Sequence, residues 1–450
     1  MSSRISKNKL VSYIGNIYKD KLIHNSYEVI DVDPLALISD KRIDILIKLI
    51  SSDFFIELNH DKWGETFYDD HIRCITEGTF KENGSLTKHN LSAFKVEFKS
   101  ILKSIKKDGF DSDLSVVPVT KDLVPINGAH RVAACLKYNV RLKVCIIPEI
   151  DVDYTPKFFK NRGLSSEIIN AALIKLLELS NNYVCGVIWP ASNVKNEDVE
   201  KYLPNAIEIK KVTVNKAGMH NLICEAYNNE AWLGTPETKY IGAWKKALPC
   251  FGTSSHKEVN FFMMKINDEI DLIPYKDEIR KKFNLGKHSI HICDDNIDSS
   301  RLLKYFTNTN ISKILNMSSP YAFPSFISNL EKLRSELYDR GLTENDIILD
   351  GSSLLGILGL RRPNDIDYLA TENLKLKNAD FHLSEMQYHE SSLSELMNNP
   401  DKYIWIFGFR FLSINELIKM KSNRSENKDL VDISLLKAFS RGGWIIKLKA

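Results

Sequence analysis

Residues 351–367 read GSSLLGILGLRRPNDID, and the fold of the C-terminal third turns on them. A Gly-Ser-Ser comes just after the apolar run Ile347-Ile348-Leu349. Twelve residues then separate Ser352 from Asp365, and the stretch closes on Asp365-Ile366-Asp367. Side chains two apart on a strand share a face, so both carboxylates are expected on one side with Ile366 turned into a core. Carboxylates held a few ångströms apart repel each other and are stable together chiefly around a divalent cation. Magnesium bound this way takes its remaining ligands from water and nucleotide phosphates. Gly351 would let the backbone approach a phosphate closely, and Ser352 adds a hydroxyl donor. The plainer alternative for Asn-Asp-Ile-Asp is a solvated turn, since both residue types favour turns.

The order apolar–Gly–Ser, spacer, acidic–apolar–acidic resembles the signature of the nucleotidyltransferase superfamily, the polymerase-beta-like fold. The resemblance implies that Gly351 and Ser352 contact phosphates and that Asp365 and Asp367 are catalytic magnesium ligands. Residues 411–439, FLSINELIKMKSNRSENKDLVDISLLKAF, extend it. Small members of the superfamily often end in a strand, Lys-x-x-Arg and then Lys-Asp-x-x-Asp on a helix, matched here by Lys421, Arg424, Lys428, Asp429 and Asp432. Lys421, Arg424 and Lys428 are thereby implied as nucleotide contacts. The resemblance spans about residues 320–440. The family often adds a third carboxylate from a later strand; Asp380, Glu385 and Glu390 are the candidates.

Residues 123–138, LVPINGAHRVAACLKY, carry a second signal. Asn127-Gly128 makes a turn, and Ala129, His130 and Arg131 open a helix whose free N–H groups favour an anion. Arg offers bidentate phosphate contacts, and His can take or give a proton. This stretch resembles the ParB N-terminal/sulfiredoxin-like superfamily over about residues 27–148. The resemblance implies nucleotide binding at Gly128 and Arg131, with His130 in a catalytic role. Ala129 stands where sulfiredoxin needs a Cys, and the His-Arg pair looks more like the serine-kinase branch than the partition CTPases. A kinase needs an acidic base: Glu82 first, then Asp44 and Glu28, with His71 as a further pocket residue. A surface loop is the alternative for His130-Arg131, and a solvated loop glutamate for Glu82.

The middle of the chain alternates strand-like runs (YVCGVIWP, KEVNFFMMKI, HSIHICDD) with helical ones, which suggests an α/β layer. His288, His291, Asp294 and Asp295 lie close enough in sequence for a metal site, or simply for a polar strand end. Trp232, Trp244 and Lys245 could stack on a sugar or base, or be core and surface residues. The expected organisation is therefore α/β and α+β in three domains: 1–155 ParB/sulfiredoxin-like, 156–320 α/β, and 321–450 nucleotidyltransferase-like.

A chain of 450 residues is long enough for such a division. With 61 Lys and Arg against 58 Asp and Glu, the net charge of +3 argues against bulk nucleic-acid binding by charge. Seven scattered cysteines without a C-x-x-C pair suggest reduced thiols and a cytoplasmic setting. No apolar run is long enough to span a membrane. These features suggest a phosphotransfer enzyme with kinase-like and nucleotidyltransferase-like modules. Its expected cofactors are Mg2+ and an NTP (ATP or CTP), and its acceptor a small hydroxylated metabolite. Activated precursors of surface polysaccharides are one such product class. The rival expectation is a nucleotide-gated regulatory or DNA-associated protein.

Overall fold

The computed structural model describes residues 3–14, 16–56, 62–82, 87–194, 196–228, 230–253, 257–266 and 272–442. It is a mixed α/β chain whose strands gather in several small sheets. Two compact units divide it at Asn181/Asn182.

The first unit contains β1 (Ser3–Ser6), α1 (Lys7–Ile14), β2 (Ser26–Val32), α2 (Ile43–Ile56), α3 (Lys62–Ile75) and α4 (Leu91–Asp108). It continues with β3 (Val117–Val119), α5 (Ala129–Tyr138), β4 (Leu142–Ile146), α6 (Pro156–Asn161) and α7 (Ser166–Leu179). The sheet order is β1-β2-β4-β3, antiparallel except for the β3/β4 pair, which is parallel and joined through α5. Local chemistry sets the helix ends. Asn90 caps α4 by accepting the Ala93 N–H, and Gly109 stops it at a φ of 75°. The α4 stripe Phe94, Phe98, Leu102 and Ile105 is buried against Val132 and Ala133 of α5 and Val144 of β4. A short helix is expected at the N-terminus, and α1 is that helix, but β1 precedes it and pairs with β2. The unit also runs past residue 155. The apolar face of α7, with Ile169, Leu173 and Leu176 buried, packs on α2 and so belongs to this core.

The second unit opens with β5 (Tyr183–Ile188), α8 (Asn196–Tyr202), β6 (Ala206–Thr213), α9 (Lys216–Ala226) and α10 (Ile241–Phe251). Then come β7 (Glu258–Lys265), α11 (Leu272–Phe283), β8 (Ile290–Ile292), α12 (Asn296–Thr307) and α13 (Ile311–Met317). Its first sheet has the order β6-β7-β5-β8, antiparallel at every pair. All of β5 is buried, which is why its sequence is apolar without alternation.

The chain goes on through α14 (Pro324–Asp339), β9 (Ile348–Asp350), α15 (Ser353–Ile357), β10 (Asp367–Leu369), β11 (Asp380–Phe381) and α16 (Leu393–Asn398). It closes with β12 (Tyr403–Ile406), β13 (Phe409–Leu412), α17 (Ile414–Arg424) and α18 (Asn427–Ser440). These strands form a five-stranded sheet of order β11-β10-β9-β13-β12. Residues 182–320 and 321–450 thus share one unit rather than forming two, and buried polar contacts link them. The Asn308 side chain exchanges two hydrogen bonds with the Trp405 backbone, and Glu225 accepts the Phe407 N–H. No helix among the described residues is long and apolar enough to cross a membrane. All seven cysteines are buried and unpaired.

Candidate functional site

The five-stranded sheet brings the acidic residues together through register. Asp367 opens β10 opposite Asp350, the last residue of β9, and its other neighbour is Asp380 at the start of β11. Asp365 lies in the bend just before β10 rather than on the strand, because pairing with β9 begins only at Asp367. Ile366 turns into the core as expected. One carboxylate oxygen from each of Asp365, Asp367 and Asp380 nevertheless lies within 4.8 Å of the other two. This is the one His/Cys/Asp/Glu group among the described residues with the convergence a metal ion needs. Of the downstream carboxylates, Asp380 is the one that joins it. Glu385 is paired with Arg424 at 2.9 Å, and Glu390 with Lys419 at 3.4 Å.

Burial pushes the Asp367 carboxyl up to about 6; Asp365, Asp350 and Asp380 add to the rise against the pull of His382. Beneath it, burial would also raise Asp350. Hydrogen bonds from His382 and the Gly351 N–H, with His389 close by, outweigh that and hold Asp350 below the usual carboxylate range. His382 Nδ1 is 3.3 Å from Asp350 and its Nε2 is 3.9 Å from Asp367, so the ring bridges the two acids. Burial disfavours the imidazolium, but the two carboxylates prevail and raise the His382 pKa. His389 Nε2 stands 3.6 Å from Asp350, beyond hydrogen-bond range, and its buried ring nitrogens have no hydrogen-bond partner among the described residues. Neither histidine belongs to the motifs that mark the site in the sequence. For His382 a signal exists: in Asp380-Phe381-His382 the two polar residues are two apart and share a strand face.

Gly351 has a φ of 61°, and a Cβ there would fall on Asp367 Oδ2. Glycine is thus required twice, by backbone and by contact. Gly351→Ala is expected to destabilise the protein by about 1 kcal/mol or more and to push Asp367 out of register. Thermal unfolding and Mn2+ titration calorimetry read the two effects, and wild-type metal affinity in the alanine variant would contradict the contact. Ser352 is buried at the start of α15 without capping it. A cavity of about 320 Å³ adjoins Asp365, lined also by Arg362, Asn364, Asn329 and Ser325.

The expected phosphate ligands Lys421 and Arg424 are instead committed to carboxylates. Lys421, 1% exposed, lies 3.2 Å from Asp429 and 2.9 Å from Asp432. Arg424 makes a two-pronged contact with Asp429 and reaches Glu385. Arg361 clamps Asp432 in the same two-pronged way. The i, i+3 spacings of Lys421/Arg424 on α17 and Asp429/Asp432 on α18 put each pair on one helix face. The two faces interlock and hold the loop of Arg361 that leads into Asp365. Lys428 is exposed and paired with Glu426 at 2.8 Å. Burial alone would raise Asp429; Arg424 and Lys421 outweigh it and lower its pKa to about 2. A carboxylate depressed in the folded state adds stability above its unfolded pKa of about 3.9, and that stability is lost as pH falls towards 2. Urea midpoints should therefore drop more steeply between about pH 5 and about pH 3 in the wild type than in Asp429→Asn. Parallel curves for the two proteins would refute it.

Of the residues singled out in the first unit, His130, Arg131, Glu82 and Asp44 are held by partners within that unit. His130 is a core histidine: burial lowers its pKa, it shares a 2.8 Å hydrogen bond with Tyr68, and its ring packs 4.8 Å from Phe98. Arg131 bonds Ser115 and the Val116 carbonyl and folds over Gly128, whose φ of 85° starts α5. Glu82 pairs with Lys88 at 2.8 Å, and Glu28 is exposed on β2. Asp44, wholly buried, bonds Arg42 and Lys48, and Lys48 lies 3.2 Å from Nε2 of a neutral His71. The metal site considered at residues 288–295 does not converge. His288 and His291 each face a cysteine sulfur at 3.8 Å, Asp294 pairs with Lys276, and Asp295 caps α12. No protein-family model, curated protein or solved structure matches the chain.

Proposed function

We propose that the second unit is a nucleotidyltransferase-like enzyme that uses Mg2+ and a nucleoside triphosphate on a small hydroxylated acceptor. The observation that carries this reading is the convergence of Asp365, Asp367 and Asp380 beside the Gly351 turn. The sequence resemblance asks for that set: an acidic pair, a Gly-Ser turn and a carboxylate from a later strand. Three carboxylates with hard oxygen donors, one of them raised in pKa by burial and then by the other acids, fit a hard divalent cation.

Asp365 and Asp367 would hold the ion, which supplies charge neutralisation for the triphosphate and its leaving group. His382 keeps Asp367 oriented from below and is itself steadied by Asp350. Gly351 leaves room for that carboxylate. In the transfer, the acceptor oxygen bonds to the α-phosphorus, the bridging P–O bond to the β-phosphate breaks, and pyrophosphate leaves. Asp380, exposed at the sheet edge, receives the proton the hydroxyl sheds. A kinase-like role for the first unit has less behind it, because His130 and Arg131 are held by protein partners.

Thermal unfolding of the full chain with each of the common NTPs, with and without Mg2+, tests the reading without knowing the acceptor. Binding to the folded state should raise the melting temperature by mass action. The rise should require Mg2+ and vanish in Asp365→Asn. No rise with any NTP would sink the proposal.

A further inference from the structure

A second cavity, larger than the one beside Asp365, lies away from the acidic cluster, beside the first sheet of the second unit. It encloses about 640 Å³, within the range of small-molecule sites. One wall is aromatic. Tyr227 meets Trp232 edge-on at 5.1 Å and His291 at 4.4 Å, and Trp232 remains 44% exposed. The rest is rich in cations: Lys245, Lys246, Lys276, Arg280 and Lys287 all line it, against Glu230, Asp294 and Asp298.

The acids neutralise only part of this charge: Asp294 pairs with Lys276, and Asp277, which is not among the lining residues, pairs with Arg280. Asp298 pairs with Arg301, which is not among the lining residues, at 3.0 Å. Lys276 is only 6% exposed, yet its carboxylate partner Asp294 is largely in solvent. Lys246 rests on the Lys287 carbonyl and over the Tyr227 ring at 5.7 Å, with no carboxylate among the described residues. Arg280 pairs with Asp277, but its buried Nε has no acceptor among the described residues. Lys245 and Lys287 have no ion-pair partner among the described residues. A cavity where Lys245, Lys246 and Lys287 have no carboxylate partner among the described residues calls for an anion with several acceptor oxygens. The aromatic wall calls for a flat or ring-shaped body beside it.

We infer that this cavity is a binding site for a phosphorylated ring compound, with the phosphate on the lysine and arginine side and the ring against Tyr227 and Trp232. A nucleoside monophosphate and a sugar phosphate share that chemistry. The inference stands apart from the acidic cluster and needs no metal.

Calorimetry on the full chain in metal-free buffer, with AMP, glucose 6-phosphate and inorganic phosphate as separate probes, tests it. One of the two ring-bearing probes should bind more tightly than inorganic phosphate, and which one binds tells the two sources apart. The double variant Lys245→Glu/Lys287→Glu changes exposed side chains, so the fold should stand. It should weaken binding by at least about tenfold. Trp232→Ala should bring the ring-bearing probe down to the affinity of inorganic phosphate. Asp367→Asn should leave all three unchanged, which separates this site from the triphosphate site. No heat from any probe up to the millimolar range overturns the inference. So does wild-type affinity in the charge-reversed double variant, or equal affinity for all three probes.

Discussion

Asp367→Asn is expected to lower metal-dependent pyrophosphate release by roughly 10²-fold or more while leaving the fold intact. The substitution keeps the shape of the side chain and removes one charge from a place where Asp365 and Asp380 crowd it. Burial and those neighbours already push the Asp367 carboxyl up to about 6, so without metal the charge is a burden on the folded state. Unfolding measured without metal near neutral pH should therefore show equal or higher stability in the variant. A structural role for Asp367 would give the opposite pattern, lost stability with turnover falling in proportion. The pair of readouts separates the two.

The largest stability effect is expected in the first unit, at Asp44. This carboxylate is wholly buried and serves Arg42 and Lys48, which are nearly as inaccessible. Asp44→Asn would leave two buried cations without a counter-charge, at a cost of about 3–5 kcal/mol. For a unit of this size that is a fall of roughly 10 °C in melting temperature. Burial already pulls Lys48 down to about 8 despite Asp44, so removing the acid should drive Lys48 further towards its neutral form. Lys48→Met in the Asp44→Asn background should recover part of the loss, since the orphaned ammonium is then gone. Differential scanning calorimetry of the three proteins checks this. A single variant as stable as the wild type would show that the cluster contributes little.

The nearness of Asp365 and Asp367 is more legible in the sequence than the surroundings of Lys421 and Arg424, and the difference is physical. Asp365-Ile366-Asp367 is local: the two carboxylates come together although only Asp367 is on the strand and Asp365 sits in the bend before it. The third carboxylate depends on β10/β11 register, which no local pattern announces, so Asp380 could only be one candidate of three. Lys421 and Arg424 were legible as a helix face but not as to what they meet. Their partners Asp429 and Asp432 sit on the next helix, and only the packing of α17 on α18 brings the charges together. His130 illustrates the converse error: a histidine at a helix start has the pattern of an anion ligand, yet Phe94, Phe98 and Tyr68 enclose it. The strands at Tyr183–Ile188 and Glu258–Lys265 are legible from their apolar runs, broken in the second only by Asn260. β6, with lysines and a glutamate among its apolar residues, gave no such signal. The single unit formed by residues 182–450 was hidden for the same reason, since Asn308 and Glu225 reveal their role only through backbone partners about a hundred or more residues away.

The most direct measurement is anomalous diffraction from crystals of the full chain soaked in Mn2+, collected beside a crystal of Asp367→Asn treated alike. A single strong peak is predicted at the Asp365 and Asp367 carboxylates, at about 2.0–2.1 Å from their oxygens, present in the wild type and absent in the variant. Wild-type crystals without a peak there, or with one that survives Asp367→Asn, would contradict the metal site and the transferase reading built on it.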